Sequence, residues 1–176
     1  GGMNFGMVAG RKDVMDLAIP GLPKGKGVLM GGGTFSCMLP SMLAGRAMVS
    51  YLEQHKDEIY PALAEKGRYV REGIETAFRA KAIPVKCYGV GSLFTTNFPP
   101  AEGSELKNIE DIETKSDMRF RDTEFRLRMI NHGVYTIWGG GAVSMAHTQR
   151  DLDTIIGAAK EVAEEVAAAR HQASPR

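Results

Sequence analysis

Apolar residues recur with a helical period in four stretches of the chain, and short extended runs fall between them. From Leu39 onward Met42, Gly45, Val49 and Leu52 share one stripe of a helix, leaving Arg46 and Glu53 to water. Pro40 suits the first turn of that helix, where its missing N–H would have had no helical partner. A second helix is predicted from about Glu58 to Lys81, with Leu63, Val70, Ile74, Ala77 and Phe78 on the core side and Pro61 near the start. The two helices break near His55, Lys56 and Asp57. Beyond them the period drops to two: Val85–Tyr88 and Leu93–Phe98 are β-branched or aromatic and flank Gly89–Ser92, the pattern of a hairpin.

Pro99 and Pro100 end that hairpin, and the polar stretch from Ala101 to Asp117 is expected to be a long surface excursion. Met118–His132 resumes a helical pattern, closed by Gly133 at the position where a left-handed C-cap favours glycine. Val134–Trp138 and Ala142–Met145 are two further strand candidates across Gly139–Gly141. The last helix has the clearest start, a Thr148-x-x-Asp151 capping box followed by a stripe of Leu152, Ile155, Ile156, Ala159, Val162, Ala163 and Val166. This order gives an α+β fold, a small antiparallel sheet with helices on one face. Residues 1–36 do not fit inside it and read as the edge of a different domain; within them Pro20–Gly27 can be neither helix nor strand interior. The tail after 170 has no period.

Composition narrows the class. The chain has 176 residues, 43% of them hydrophobic, which is enough for a real core. A net charge of +1, with no basic tract or acidic tail, gives no reason to expect nucleic acid, and the basic run Arg119, Arg121, Arg126 and Arg128 is expected to be a wet helix face. No apolar run reaches the roughly 18 residues of a membrane span. Cys37 and Cys87 lack metal-ligand spacing and are expected as free thiols in a cytoplasmic protein, Cys37 as a small buried hydrophobe. No metal site is expected.

Candidate chemistry concentrates in Gly31-Gly32-Gly33-Thr34-Phe35-Ser36, set directly before a helix. Three glycines let backbone N–H groups approach a ligand closely, and the hydroxyls and helix N-terminus add donors for an anion. It reads as half of a phosphate cradle. His147 has no Ser, Cys or acid constellation beside it and is read as structural, at a strand–helix junction. Lys24 and Lys26 flank glycines and are read as solvated. No catalytic residue is assigned.

The order and spacing of several segments resemble class III aminotransferases, most of all the glutamate-1-semialdehyde aminomutase group. They are Gly6–Met15, Gly32–Ser36, Gly67–Ile74, Gly91–Phe94, His132–Tyr135 and Ala146–Asp153, and together they reach from Gly1 to about Val166. The resemblance implies a pyridoxal 5'-phosphate enzyme of fold type I, working as a homodimer on a small amino-acid, keto or aldehyde substrate. In it Gly33 and Thr34 would touch the cofactor phosphate of the neighbouring subunit. It also implies that the Schiff-base lysine, the acid on the pyridine nitrogen, the stacking aromatic and the first phosphate loop lie upstream of Gly1. The chain is then expected to be the C-terminal part of such an enzyme, inactive alone without its N-terminal half. Residues 1–36 would be a remnant of the large α/β domain, 37–56 a connecting helix, 57–170 the small α+β domain and 171–176 a tail.

Two segments depart from the family pattern. Ser36-Cys37-Met38-Leu39-Pro40 replaces the more usual Ser-Gly-Asn-Pro, and Trp138–Gly141 replaces Pro-Ser before the last strand. Aminomutase, transaminase, racemase and decarboxylase chemistry all remain open on these residues. The alternative reading is a non-catalytic α+β interaction module derived from the same family. It would leave Met3, Phe5, Met7 and Val8 without a home.

Overall fold

In a computed structural model residues 2–28, 33 and 36–173 are described, and the chain divides into two units, Gly1–Lys56 and Asp57–Arg176. In the first unit a single turn α1 (Lys12–Met15) runs into a 3-10 turn (Asp16–Ala18). Then comes α2 (Leu39–Gln54), with Pro40 in its first turn as the missing N–H requires. The expected apolar stripe of α2 is not covered: Ser41 and Gly45 are its buried residues, while Met42 stays 49% and Val49 43% exposed. Periodicity shows that a helix has a face; it does not say that the matching surface lies in the same chain. Phe5 does settle here, its ring over Gly45 so closely that a Cβ would lie 2.4 Å from it.

The second unit opens with α3 (Lys56–Arg79), which continues through Pro61 and buries Val70, Ile74, Ala77 and Phe78 as the spacing predicts, with Leu63 half-buried. Its end is a Schellman cap made without glycine. The Ile83 N–H donates to the Phe78 carbonyl (3.1 Å) and the Ala82 N–H to Arg79 (2.9 Å), with Ala82 at φ +54°.

Strands β1 (Lys86–Tyr88) and β2 (Leu93–Asn97) form the predicted antiparallel hairpin, Cys87 opposite Thr96. Alternation decides the faces: Phe94 and Thr96 point into the core while Leu93 is exposed. Arg71 of α3 reaches over to donate to the carbonyls of Gly91 (3.2 Å) and Leu93 (3.0 Å), fastening the turn to the helix.

Four expectations need correction. The polar excursion contains a short helix, α4 (Ile109–Lys115), whose N-cap Asn108 accepts from the Asp111 N–H at 2.8 Å. Two isoleucines make too weak a period to see, although the Asn-x-x-Asp cap was legible. The predicted helix over 118–132 forms as a π turn (Phe120–Phe125) followed by α5 (Arg126–Asn131). Gly133 takes φ +80° as expected, with Gly133 N–H on Ile130 and Val134 N–H on Met129. The arginine run is only partly a wet face: Arg119 is exposed, but the Arg121 side chain is only 11% exposed, donates to Asn97 and pairs with Asp122, and Arg126 and Arg128 are half-buried.

The fourth correction concerns the glycines before the last strand. Neither Val134–Trp138 nor Ala142–Met145 is a strand; β3 is Gly140–Ala142, paired antiparallel with β2, Phe94 opposite Gly141. Gly140 is there because a Cβ would lie 2.2 Å from the Phe94 carbonyl oxygen. The turn is tighter than its sequence implied: Ile137 and Gly140 exchange both backbone hydrogen bonds, with Trp138 at φ +47° and Gly139 at φ +72°, the type I' pattern.

Helix α6 (Gln149–Ala173) starts at the predicted box: the Thr148 N–H donates to Asp151 Oδ2 (2.7 Å) and the Asp151 N–H to Thr148 Oγ1 (3.4 Å). Leu152, Ala159, Val162, Ala163 and Val166 are buried as expected, and Ile155 and Ile156 half-buried. They close one core with α3 and the sheet, at whose centre Phe78, Phe98, Phe120 and Phe125 meet edge to face at centroid distances of 4.6 to 5.8 Å. Edge-to-face geometry sets the positive rim of one ring on the negative face of the next. The fold is therefore α+β, with a small antiparallel sheet in the order β1-β2-β3.

Candidate functional site: a donor-lined cleft at the start of α2

The glycine-rich segment leads into the N-terminus of α2, and a cleft of about 530 Å³ opens there within the first unit. Its walls are Asn4, Phe5 and Gly6 on one side, Gly33, Ser36 and Cys37 on the approach, and Ser41 and Met42 on the helix. Thr34, the second residue expected to meet a phosphate, lies outside the described residues, as do Gly31, Gly32 and Phe35. Gly33 lines the cleft, and its carbonyl accepts from the Ser36 N–H at 2.9 Å, forming the turn that delivers the chain to the helix. A Cβ on Gly33 would meet only Ser36 Oγ, at 3.7 Å, so this position has space for a side chain.

The local sequence sets the cleft's polarity. Met38 occupies the N-cap of α2 and offers no side-chain hydrogen bond, so the first-turn N–H groups stay unclaimed by a cap, and Pro40 removes one of them. The positive end of a 16-residue helix therefore faces the cleft uncapped. None of its described wall residues carries a carboxylate. Asn4 and Ser36 contribute side-chain donors, while Ser41 is 2% exposed and its hydroxyl is covered and without a partner among the described residues. A recess with neutral donors, a helix N-terminus and no acid suits an anion. These residues fit the phosphate end of a cofactor.

Cys37 corrects an expectation: it is exposed, at φ +56° in the turn before the helix, not a buried hydrophobe. Cys87 is the buried thiol. It sits on β1 with Sγ 3.7 Å from the Thr96 hydroxyl, and burial pushes its pKa up to about 12, which keeps it protonated and inert. Lys24 and Lys26 are exposed as expected.

In the second unit His147 has a serine beside it after all, the Ser144 hydroxyl 2.9 Å from its Nδ1, in a contact that fastens its own turn. Its Nδ1 accepts from the Ser144 N–H at 3.0 Å, which leaves the neutral ring's proton on Nε2. Lys66 holds the same loop by donating to the carbonyls of Met145 (3.0 Å) and His147 (2.7 Å). Sequence reading missed Lys66 and Ser41. Nothing local marks a lysine 79 residues from its acceptor, whereas the place of Ser41, one residue after a proline at a helix start, was visible. No group of three or more His, Cys, Asp or Glu among the described residues could hold a metal. None of the described helices is long and apolar enough to cross a membrane.

Comparison with known proteins places this architecture. No family model matches the chain. It is 30% identical over 165 residues to a glutamate-1-semialdehyde 2,1-aminomutase of Acidobacterium capsulatum, covering 92% of this chain and 36% of that one. It is 31% identical over 160 residues to glutamate-1-semialdehyde 2,1-aminomutase 2 of Lachnoclostridium phytofermentans, covering 89% and 35%. Among solved structures it matches a β-phenylalanine aminotransferase from Variovorax paradoxus with a TM-score of 0.70 and 27% identity, over 91% of this chain and 35% of the other. It shares its fold, at 21% identity and a TM-score of 0.67 over 92% and 35%, with a transaminase solved with pyridoxal phosphate bound. In sequence the chain is similar to glutamate-1-semialdehyde aminomutases and in fold to a transaminase with pyridoxal phosphate bound. It spans about a third of the length of the relatives it matches.

Proposed function

We propose that the chain is the C-terminal part of a class III, fold-type I aminotransferase or aminomutase that works as a homodimer on a small amino-acid, keto or aldehyde substrate in the cytoplasm. Residues 1–36 end its large domain, 37–56 connect, 57–170 form its small domain and 171–176 its tail. Gly33 and Thr34 meet the cofactor phosphate of the neighbouring subunit. One observation carries this reading: the segment that resembles the family's phosphate contact leads into an acid-free, donor-lined cleft at an uncapped helix N-terminus.

Bound pyridoxal phosphate supplies an electron sink for charge developing beside the substrate's amine. This chain's own part is to fix the phosphate. Uncapped N–H groups and hydroxyls that keep their places need no reorganisation as charge moves, so they orient the cofactor at little cost. The lysine that anchors the cofactor belongs to sequence upstream of Gly1 in this reading, since Lys24 and Lys26 are solvated and neither lines the cleft.

The test is to add pyridoxal phosphate to the chain alone, reduce with borohydride and map the labelled lysines. Scattered, substoichiometric labelling of exposed lysines is expected, together with full activity when the remaining two thirds of a family member is co-expressed with the chain. Stoichiometric trapping on one lysine of this chain would sink the placement of the anchor. The module reading draws on a core formed wholly within Asp57–Arg176. It predicts a stable monomer that binds neither the cofactor nor the rest of the enzyme.

A further inference from the structure

Strand β3 carries one residue whose backbone is left open. In an antiparallel ladder consecutive residues turn their N–H and C=O to opposite sides. Toward β2, the Thr96 N–H donates to the Gly139 carbonyl and the Val143 N–H to the Ser92 carbonyl, both at 3.0 Å, so residues 139, 141 and 143 face β2. Gly140 and Ala142 therefore face the other way. Gly140 exchanges both its bonds with Ile137. A hairpin continued from that pair would set Ala142 opposite Tyr135, yet among the described residues the two share no backbone hydrogen bond. The run from Val134 to Thr136 splays away instead, and a cleft of about 420 Å³ opens between it and β3.

The cleft has the chemistry of a slot for a strand. Ala142 and Tyr135 line it and both are exposed, so no other part of this unit covers the edge. Phe94, Val134, Val143 and Ile155 give the same cleft apolar walls. A sheet edge with unpaired N–H and C=O is the template for an added strand, and the apolar walls seat one of that strand's side chains.

The shortness of the edge decides whose strand it takes. An added strand gains only the N–H and C=O of Ala142, and each such bond is worth little net, so a free peptide would need millimolar concentrations or more to stay bound. A strand tethered within the same assembly works at an effective concentration of about millimolar and fills such an edge. The relatives carry about two-thirds of their length outside the part that this chain matches. We propose that the open edge at Ala142 receives an extended segment of that remaining two-thirds, bearing an apolar side chain, as a fourth strand beside β3. The proposal rests on reading the chain as part of such an enzyme and adds the place where the other part is fastened.

Hydrogen–deuterium exchange, read residue by residue by mass spectrometry, is measured on the chain alone and on the chain co-expressed with the other two-thirds of the Acidobacterium capsulatum aminomutase. In the chain alone the Ala142 amide is expected to exchange unprotected, beside a protected Val143. In the complex it is expected to slow about tenfold or more. Ala142→Pro removes the N–H on the open side and leaves the bonds to β2, a place where an edge strand tolerates proline. It is expected to keep the melting temperature of the chain alone and to weaken the complex about threefold to tenfold. Protection of Ala142 in the chain alone, as closure of the Tyr135 run onto β3 would give, overturns the proposal. So does a complex that Ala142→Pro joins with equal affinity. Should Ala142→Pro unfold, exchange in the unaltered complex decides. A complex in which Ala142 stays unprotected refutes this docking and leaves the functional reading standing. A protected Ala142 in a complex without aminotransferase or aminomutase activity does the reverse, and no complex at all refutes both.

Discussion

Thr136 offers a stability test whose sign runs against intuition. It is 2% exposed, in the extended run after Gly133, and its hydroxyl has no hydrogen-bond partner. An unmade hydrogen bond at a buried hydroxyl costs about 1–3 kcal/mol, because water is given up and nothing replaces it. Thr136→Val keeps the branched shape, and with it the packing, while exchanging the hydroxyl for a methyl group. It is expected to stabilise the chain by about 1–2 kcal/mol, which at this size raises the melting temperature by about 2–4 °C per kcal/mol. Thr136→Ser is the control: it keeps the unmade bond and deletes a methyl, for an expected loss of about 0.5–1.5 kcal/mol. Urea denaturation followed by far-ultraviolet circular dichroism measures both, and an unchanged m-value keeps the comparison on the folded state. A Thr136→Val variant that is neutral or less stable refutes the reasoning, since it would mean that the hydroxyl bonds water in solution.

Other consequences are as direct. Ala82 closes α3 at φ +54°, so Ala82→Gly relieves a left-handed penalty larger than the chain entropy glycine adds; a gain of about 0.5–1 kcal/mol is expected in the same denaturation assay. Glu165 accepts from His132 Nε2 (2.8 Å) and Arg128 (2.5 Å), which hold its carboxyl below its ordinary 4.5. A lowered carboxyl pKa stabilises the fold above the unfolded value and ceases to as pH falls through the folded one, so the advantage over Glu165→Gln should be present at pH 7 and shrink progressively as pH falls below the ordinary 4.5 in pH-dependent urea melts. Cys37 is exposed and Cys87 buried with its thiol pushed up to about 12. A thiol-reactive disulfide reagent at pH 8 should therefore label Cys37 alone in the folded chain and both cysteines after denaturation, as read by mass spectrometry.

How much of this was legible depends on whether the signal is local. Helix α6 could be read completely, because a capping box and a 3.6-residue stripe both act within a few residues of themselves. The β1–β2 hairpin was legible for the same reason. Gly139–Gly141 was misread because glycine has two uses: the sequence pattern marked a turn, whereas Gly140 serves the close approach of a neighbouring strand. Arg121 was misread because a charge looks solvated until Asn97 and Asp122 are seen beside it. At the candidate site the glycine run, the helix start and the proline were visible, and what they surround was not.

The sequence by itself determined where the long helices α3 and α6 start and stop and that the first two strands pair, since each follows from the conformational limits of neighbouring residues; the cofactor contact of the glycine–threonine run came only from a resemblance. Tertiary structure alone decided which polar groups were left without partners and which walls share a cleft. Asn4, Gly33 and Ser41 belong to one recess only after the chain has turned back on α2, and the absence of an acid among them is a property of that assembled surface. Burial and hydrogen bonding are relations between distant segments, so they exist only once the fold has brought those segments together.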